Sequence, residues 1–332
     1  MDTPINIPGM GPVFVTGGSG FVGQQLIRRL VDQGVVVNAA VRSPTAAKTV
    51  ASHGAVPVSV ELSDLRGLAQ AMTGAGLVVH AAAQLTGADV QGMHEVNVEG
   101  TRNVVKAAQS AGVPTFVHVS TEQVVLGDRP IIDADESWPY PQRPQGPYAR
   151  TKGEAERIAL GAATDGFRVV AVRPRFVWGV GDTTVLPAIL EAVESGAFRW
   201  IDHGRYQTST CHVRNLVEGI LAAAHAGESG SSYFLSDGPP VEFRDFVTAM
   251  ARTKGVDIPG RSLPRPLAHA VAAAAELVWR VARRTTEPPI DRARLAAIGQ
   301  TCTVNDTAAR STLGYTPVVT VQEGLRDMAE AT

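Results

Sequence analysis

Tyr148 and Lys152 stand four residues apart in Pro147-Tyr-Ala-Arg-Thr-Lys152. On a helix that spacing puts both side chains on one face. A free phenol, with a pKa of about 10, is a poor base at neutral pH. A nearby ammonium stabilises the phenolate and lowers that value, as does a positively charged oxidised nicotinamide. A tyrosine tuned this way can take or give a proton while hydride moves to or from the nicotinamide. By itself a tyrosine four residues before a lysine is common, so its weight depends on its setting. Ahead of it, Phe116-Val-His-Val-Ser-Thr121 reads as a strand ending in two hydroxyls. Ser120 or Thr121 can hydrogen-bond a substrate oxygen, and a capping or turn role suits either equally well.

A second motif supplies the cofactor. Gly17, Gly20 and Gly23 follow the run Val13–Thr16 directly and open a helical pattern. One glycine permits the tight turn, another lets backbone amides approach a pyrophosphate, and the last lets the helix pack closely on the strand. A dinucleotide site normally has an acid at the end of the second strand, for the adenosine ribose. Here no Asp or Glu lies between Asp32 and Glu61; the chain instead offers Arg42 and, slightly later, Lys48. Arg42 suits a 2′-phosphate through a two-pronged, charge-assisted hydrogen bond. NADP(H) is therefore the preferred cofactor, with NAD(H) left open.

The elements that must position these groups alternate. Strands are expected at Val13–Thr16, Val35–Val41, Val56–Val60, Leu77–His80, Phe116–Ser120 and Arg168–Arg173. The strongest helices between them are Gly20–Gln33, Val90–Ala111 and Tyr148–Ala163. Near-continuous apolar strands joined by helical crossovers imply a doubly wound parallel sheet, an α/β fold of Rossmann type. Ligands there bind beyond the carboxyl ends of the strands. The expected domains are 1–175 for the dinucleotide, with 208–228 returning to it, and a smaller, interleaved substrate-binding domain over 176–332. After Pro174, Thr183–Ser195 and Asn215–Ala226 read as helical and Ser232–Leu235 as a strand, while the remaining stretch through Phe243–Lys254 has no parallel-sheet rhythm.

Taken in order, the motifs resemble the extended short-chain dehydrogenase/reductase family over nearly the whole chain. They are Thr16-Gly-Gly-Ser-Gly-Phe-Val-Gly23, Glu61-Leu-Ser-Asp64, His80-Ala-Ala-Ala83, Asn97-Val-Glu-Gly-Thr101, Val119-Ser-Thr-Glu-Gln-Val-Val125, Tyr148 to Lys152, and Arg173-Pro-Arg-Phe-Val-Trp-Gly179. Leu313-Gly-Tyr-Thr-Pro317 is similar to the family's closing segment. The resemblance implies Thr121, Tyr148 and Lys152 as the catalytic set, Thr121 rather than Ser120 taking the hydroxyl position. It further implies a cofactor lined by Thr16, Gly17, Gly20, Phe21, Val22, Gly23, Leu62, Ala81, Ala82 and Ala83. Glu61 falls on the adenine-contacting acid, Asn97 on the cofactor side, and Pro174 to Phe176 beside the nicotinamide.

Within the family, sugar-nucleotide enzymes usually carry an asparagine shortly after the sixth strand, where this chain has Phe176. The run from Val124 to Tyr148 is similar to the 3β-hydroxysteroid dehydrogenase branch, and Arg42 to the NADPH-dependent dihydroflavonol-reductase side. The expected function is hydride transfer between NADP(H) and a hydrophobic, steroid-like secondary alcohol or ketone. Trp138 and Tyr140 are expected either near that substrate or pinning a proline-rich loop. The alternatives are a nucleotide-sugar epimerase or dehydratase and a non-catalytic dinucleotide-binding regulator.

Bulk properties restrict the rest. The 332 residues carry a formal net charge of −2, with no basic surplus to suit a nucleic acid. Two distant cysteines, Cys211 and Cys302, suggest a reduced, cytoplasmic protein and no metal site. No signal peptide is read at the N-terminus, and Pro266–Ala275 is too short to span a bilayer. Leu267–Arg284, with Arg280, Arg283 and Arg284 at one end, is read first as a packed helix and second as a membrane-surface helix. A homodimer through Val90–Ala111 and Tyr148–Ala163 is expected by analogy.

Overall fold

The structure, a computed structural model, describes residues 11–85, 89–127, 129–282, 288 and 291–331. Its centre is a seven-stranded, all-parallel sheet. The strands are β1 (Val13–Thr16), β2 (Val37–Val41), β3 (Val56–Ser59), β4 (Leu77–His80), β5 (Thr115–Val119), β6 (Arg168–Pro174) and β7 (Ser231–Leu235). Their order is β7-β6-β5-β4-β1-β2-β3. Every residue of β1 and β4 is buried, as expected for central strands covered on both faces. β3, which contains Pro57, lies at an edge where a missing amide is tolerated. The chain leaves β1 in one direction for β2 and β3, then returns to place β4 on its other side. That reversal is the switch point at which such sheets bind ligands.

The helices are α1 (Phe21–Asp32), α2 (Pro44–Ser52), α3 (Leu65–Ala71), α4 (Val90–His94), α5 (Gly100–Ser110), α6 (Gly146–Leu160), α7 (Val185–Glu194), α8 (Val213–Ala226), α9 (Phe243–Arg252), α10 (Arg265–Val281), α11 (Arg292–Ile298), α12 (Thr307–Leu313) and α13 (Val321–Glu330). One sheet face packs a core containing Leu26, Ile27, Leu216 and Ile220, the other a core containing Leu68, Val104, Val105 and Ala159. The expected single helix over Val90–Ala111 is interrupted by a π-helical turn, Glu95–Glu99. Thr101 Oγ1 donates to the Asn97 carbonyl at 2.6 Å, and the wide turn buries Asn97.

The two halves interleave more than expected. Ser231–Leu235 adds the seventh strand to the main sheet, beyond the returning segment 208–228. Conversely Ile131–Ala134, from between β5 and α6, pairs with Cys302–Val304 in a small second sheet that also holds Gln207–Thr208 and Val241–Glu242. An aromatic core including Trp178, Trp200, Phe243 and Phe246 lies beside the main sheet.

Helix α10 packs through its small residues. Ala268 and Ala272 are fully buried, while Leu267, Val271, Leu277, Val278 and Val281 are exposed. Among the described residues no helix is long and apolar enough to cross a membrane. Arg283, Arg284 and the Arg280 side chain, the expected basic end, lie outside the described residues.

Candidate active site

The glycine turn sits at the switch point. Gly17 has φ +73°, and a Cβ there would lie 2.6 Å from the Ala82 nitrogen and 2.7 Å from the Ala81 carbonyl carbon. The ends of β1 and β4 therefore approach backbone to backbone. A Cβ on Gly23 would collide with the Gly17 carbonyl, so α1 packs on β1 only without one. Gly20 caps α1 with no side-chain hydrogen bond, so no capping side chain occupies the helix N-terminus. This open, positive end is the arrangement a pyrophosphate requires, and the residues fit a dinucleotide. Thr16 Oγ1 bonds His80 Nδ1 at 2.7 Å and pins the two strand ends together.

One cavity of about 2380 Å³ runs along these strand ends. It is lined by Thr16, Gly17, Gly20, Phe21, Val22, Gly23, Arg42, Glu61, Leu62, Ala81, Ala82, Ala83, Thr121, Tyr148, Lys152, Pro174 and Phe176. Two expected residues are elsewhere. Lys48 does not line the cavity, because α2 turns Thr45, Ala46 and Thr49 toward it instead. Asn97 is buried, with Oδ1 accepting from the Gln84 amide at 2.7 Å and Nδ2 donating to the Gln84 carbonyl at 3.0 Å and to Thr151 Oγ1 at 3.1 Å. It fixes the segment after β4 to α6, and touches the chain rather than the cavity.

Helix α6 carries Tyr148 and Lys152 to the same cavity. Lys152 is buried; Nζ donates to the Val119 carbonyl at 2.8 Å and lies 3.5 Å from His118 Nε2. Burial lowers its pKa to about 8, with Glu156 opposing that shift. His118 and His80 are pushed well below the usual histidine range, first by burial and then by the Lys152 charge, His80 to about 3. Both are neutral at pH 7. The Tyr148 phenol, in contrast to the lowering expected from Lys152, is held above its ordinary range. Burial is the larger cause and the Glu122 charge the second, with the hydrogen bond to Thr121 partly offsetting them. The Tyr148 phenol is thus protonated at neutral pH.

Glu122 stands in the sequence only as part of a motif and Arg175 only within the segment Pro174 to Phe176, and nothing there pairs them. Arg175 Nη1 bonds Glu122 Oε1 at 2.6 Å, and both are buried. Thr121 Oγ1 donates to Glu122 Oε2 at 2.8 Å. A hydroxyl has one hydrogen, so the expected donation from Thr121 to a substrate oxygen would require that hydrogen to leave Glu122.

Beyond Tyr148 the cavity becomes apolar, with Ile189, Phe198, Trp200, Tyr206, Phe243 and Val247 among its walls. The polar atoms of two of these are spent elsewhere: Trp200 Nε1 donates to the Pro259 carbonyl at 3.0 Å and Tyr206 Oη to the Ile298 carbonyl at 2.5 Å. Phe176, at φ +46°, makes edge contacts with Phe243 and Phe246. Trp138 and Tyr140 do not line the cavity. Tyr140 Oη donates to Glu156 at 2.5 Å within a buried group with Arg173, and Arg129 lies over the Trp138 ring. They brace their loop, the second of the two expected roles. His212 caps α8 by accepting from the Arg214 amide, a structural placement.

A model of the 3-beta hydroxysteroid dehydrogenase/isomerase family matches residues 14–265. A 4-hydroxy-2-methyl-3-oxo-4-farnesyl-3,4-dihydroquinoline-1-oxide ketoreductase of Stigmatella aurantiaca is 44% identical over 321 residues, 96% of each chain. A 3-beta-hydroxysteroid dehydrogenase of Mycolicibacterium neoaurum is 31% identical, covering 96% of this chain and 90% of its own. The solved structure of DesIV, a dTDP-glucose 4,6-dehydratase of Streptomyces venezuelae, superposes with a TM-score of 0.76 at 22% identity, over 96% of each chain, and shares the fold.

Proposed function

The chain belongs to the 3-beta hydroxysteroid dehydrogenase/isomerase family and is an oxidoreductase of CH–OH groups, and we propose that its reaction is the NADPH-dependent reduction of a hydrophobic ketone bearing an extended apolar body. The observation that carries this reading is the continuity of the cavity. A dinucleotide cradle, a protonated Tyr148 and an aromatic, hydrogen-bond-poor wing open on one space. The Stigmatella relative, by its name, reduces a ketone carrying a farnesyl group, and a wing of this size and polarity suits a chain of that kind.

Bound NADPH supplies the hydride to the carbonyl carbon. The chain's part is to bind, orient and move the proton. Tyr148 Oη delivers its proton to the carbonyl oxygen as negative charge develops there. Lys152 would hold the nicotinamide ribose with the hydrogen that its bonds to Val119 and His118 leave over. The apolar wing excludes water from the reacting face, which strengthens both interactions.

The reading is tested by following nicotinamide absorbance with NADPH and NADH across ketosteroids, aryl ketones and prenylated cyclic ketones. Turnover with NADPH is expected. kcat/KM should rise with the apolar chain by up to about fourfold for each methylene buried, until the wing is filled. Absence of net nicotinamide oxidation with every ketone, combined with activity on a nucleotide sugar, would replace this reading with the epimerase or dehydratase one.

The preference for NADPH rests on Arg42, which lies on the cavity rim beside Ser43. Ser43 Oγ caps α2 by accepting from the Ala46 amide, so a cation and a helix N-terminus meet at one place. Arg42→Ala is expected to lower the ratio of kcat/KM for NADPH over NADH about tenfold, the scale of one exposed charge-assisted contact. An unchanged ratio would remove Arg42 from cofactor selection.

A further inference from the structure

Two fully buried histidines stand side by side on neighbouring strands, His80 on β4 and His118 on β5, with ring centroids 5.5 Å apart. His80 spends both nitrogens on the fold. Nδ1 bonds Thr16 Oγ1 at 2.7 Å and Nε2 bonds Thr101 Oγ1 at 2.9 Å, which ties β1, β4 and α5 together. His118 makes no such tie. Its Nδ1 has no hydrogen-bond partner, and among the described residues its Nε2 has one, Lys152 Nζ at 3.5 Å. An ammonium has only hydrogens to give, so Nε2 is the bare, accepting nitrogen and the ring hydrogen sits on Nδ1. We propose that His118 is a positioning residue for Lys152: together with the Val119 carbonyl, 2.8 Å from Nζ, it takes two of the three ammonium hydrogens and leaves the third for the cavity that Lys152 lines.

The proposal rests on the reading that Lys152 holds the nicotinamide ribose. Packing alone does not ask for an imidazole at 118. An apolar side chain would fill the same buried position without stranding the Nδ1 hydrogen, and a buried donor left unpaired destabilises the fold. What the ring supplies that an apolar one cannot is an acceptor for Lys152. The two acceptors are successive residues of β5, held by its ladders to β4 and β6. Rigid backbone thereby sets the tip of a long, flexible side chain. Glu156, one turn further along α6, is bonded to Arg173 and Tyr140 instead. The ring stays neutral and able to accept, since burial and then the Lys152 charge hold it well below the usual histidine range.

The first test is made on the wild-type protein alone. Long-range proton–nitrogen NMR spectra show which ring nitrogen of His118 carries the hydrogen, the signal being assigned by its loss in His118→Gln. Nδ1 protonated and Nε2 bare is expected at pH 7, and the opposite tautomer overturns the proposal. NADPH binding is then titrated by its fluorescence. His118→Leu removes the acceptor and should raise the NADPH dissociation constant about tenfold, the scale of one hydrogen bond to a charged group. His118→Gln, whose Oε1 can take the place of Nε2, should bind within about threefold of wild type. Lys152→Met should weaken binding by itself. Adding His118→Leu to it should change the constant by less than about threefold, because a residue that acts through Lys152 then has nothing to act on. Wild-type affinity in folded His118→Leu, equal losses in the leucine and glutamine variants, or a full tenfold loss added to Lys152→Met would each overturn the proposal. The tautomer decides even where the leucine variant does not fold. Failure of the ribose reading would appear separately, as wild-type NADPH affinity in Lys152→Met.

Discussion

Replacing Tyr148 with Phe should cut ketone reduction on the order of 10²–10⁴-fold in kcat, with the dinucleotide affinity unchanged within a few-fold. That loss corresponds to about 3–5 kcal/mol of transition-state stabilisation. The ring remains and fills the same half-buried position on α6. What disappears is the O–H that the site holds protonated through burial and the Glu122 charge. The neighbouring groups cannot substitute for it. Thr121 has committed its hydrogen to Glu122, and the Lys152 ammonium is engaged by Val119 and His118. The effect should therefore fall on kcat, since the apolar wing proposed to bind the ketone is untouched. Single-turnover absorbance changes with saturating NADPH measure this directly. Turnover within a few-fold of wild type would show that another group delivers the proton, and the reductase mechanism would have to be rebuilt around it.

The central sheet was legible because its signal is strong and local. β1 and β4 are continuous apolar runs with definite ends, and burial on both faces leaves no alternation to misread. α2 left little trace, since Val50 is its one buried residue and its sequence is mostly small or polar. The π-helical turn was invisible, because it depends on contacts 13 and 54 residues distant, from Asn97 to Gln84 and Thr151. Lys48 shows the limit of motif reasoning without phase: the helix is near the cofactor end, but the lysine is on its wrong side. Tyr140 fails differently, drawn to the buried Glu156–Arg173 pair further along α6 from Tyr148. The pairing of Glu122 with Arg175 across 53 residues had no local sequence signal, since it is made only when the segments after β5 and β6 meet.

The same chemistry predicts that catalysis at this site is held at a cost in stability, and Lys152→Met should expose it. The folded protein releases the Lys152 proton near pH 8, whereas the unfolded chain does so near 10.5. Between those values the unfolded chain binds more protons, so wild-type stability rises with pH through that window. Below pH 8 the full penalty of holding a buried ammonium is present, worth about 3 kcal/mol for a shift of that size. Methionine follows the path of the lysine stem without the charge. It forfeits the bond to the Val119 carbonyl, a loss of about 1 kcal/mol. Lys152→Met is therefore expected to be more stable than wild type at pH 7 by about 1–2 kcal/mol, with the advantage shrinking as pH rises from 8 toward 10.5. Its turnover should nevertheless fall on the order of 10²-fold, because the group proposed to hold the nicotinamide ribose is gone. Urea denaturation at a series of pH values reads the first effect and NADPH oxidation the second. A variant that is less stable at pH 7 and still turns over would mean that Lys152 is a structural cation, its charge sustained by Glu156 rather than by the reaction. Stability gained together with activity lost is what a functional buried lysine requires, since a residue kept only for the fold would not be selected against its own desolvation.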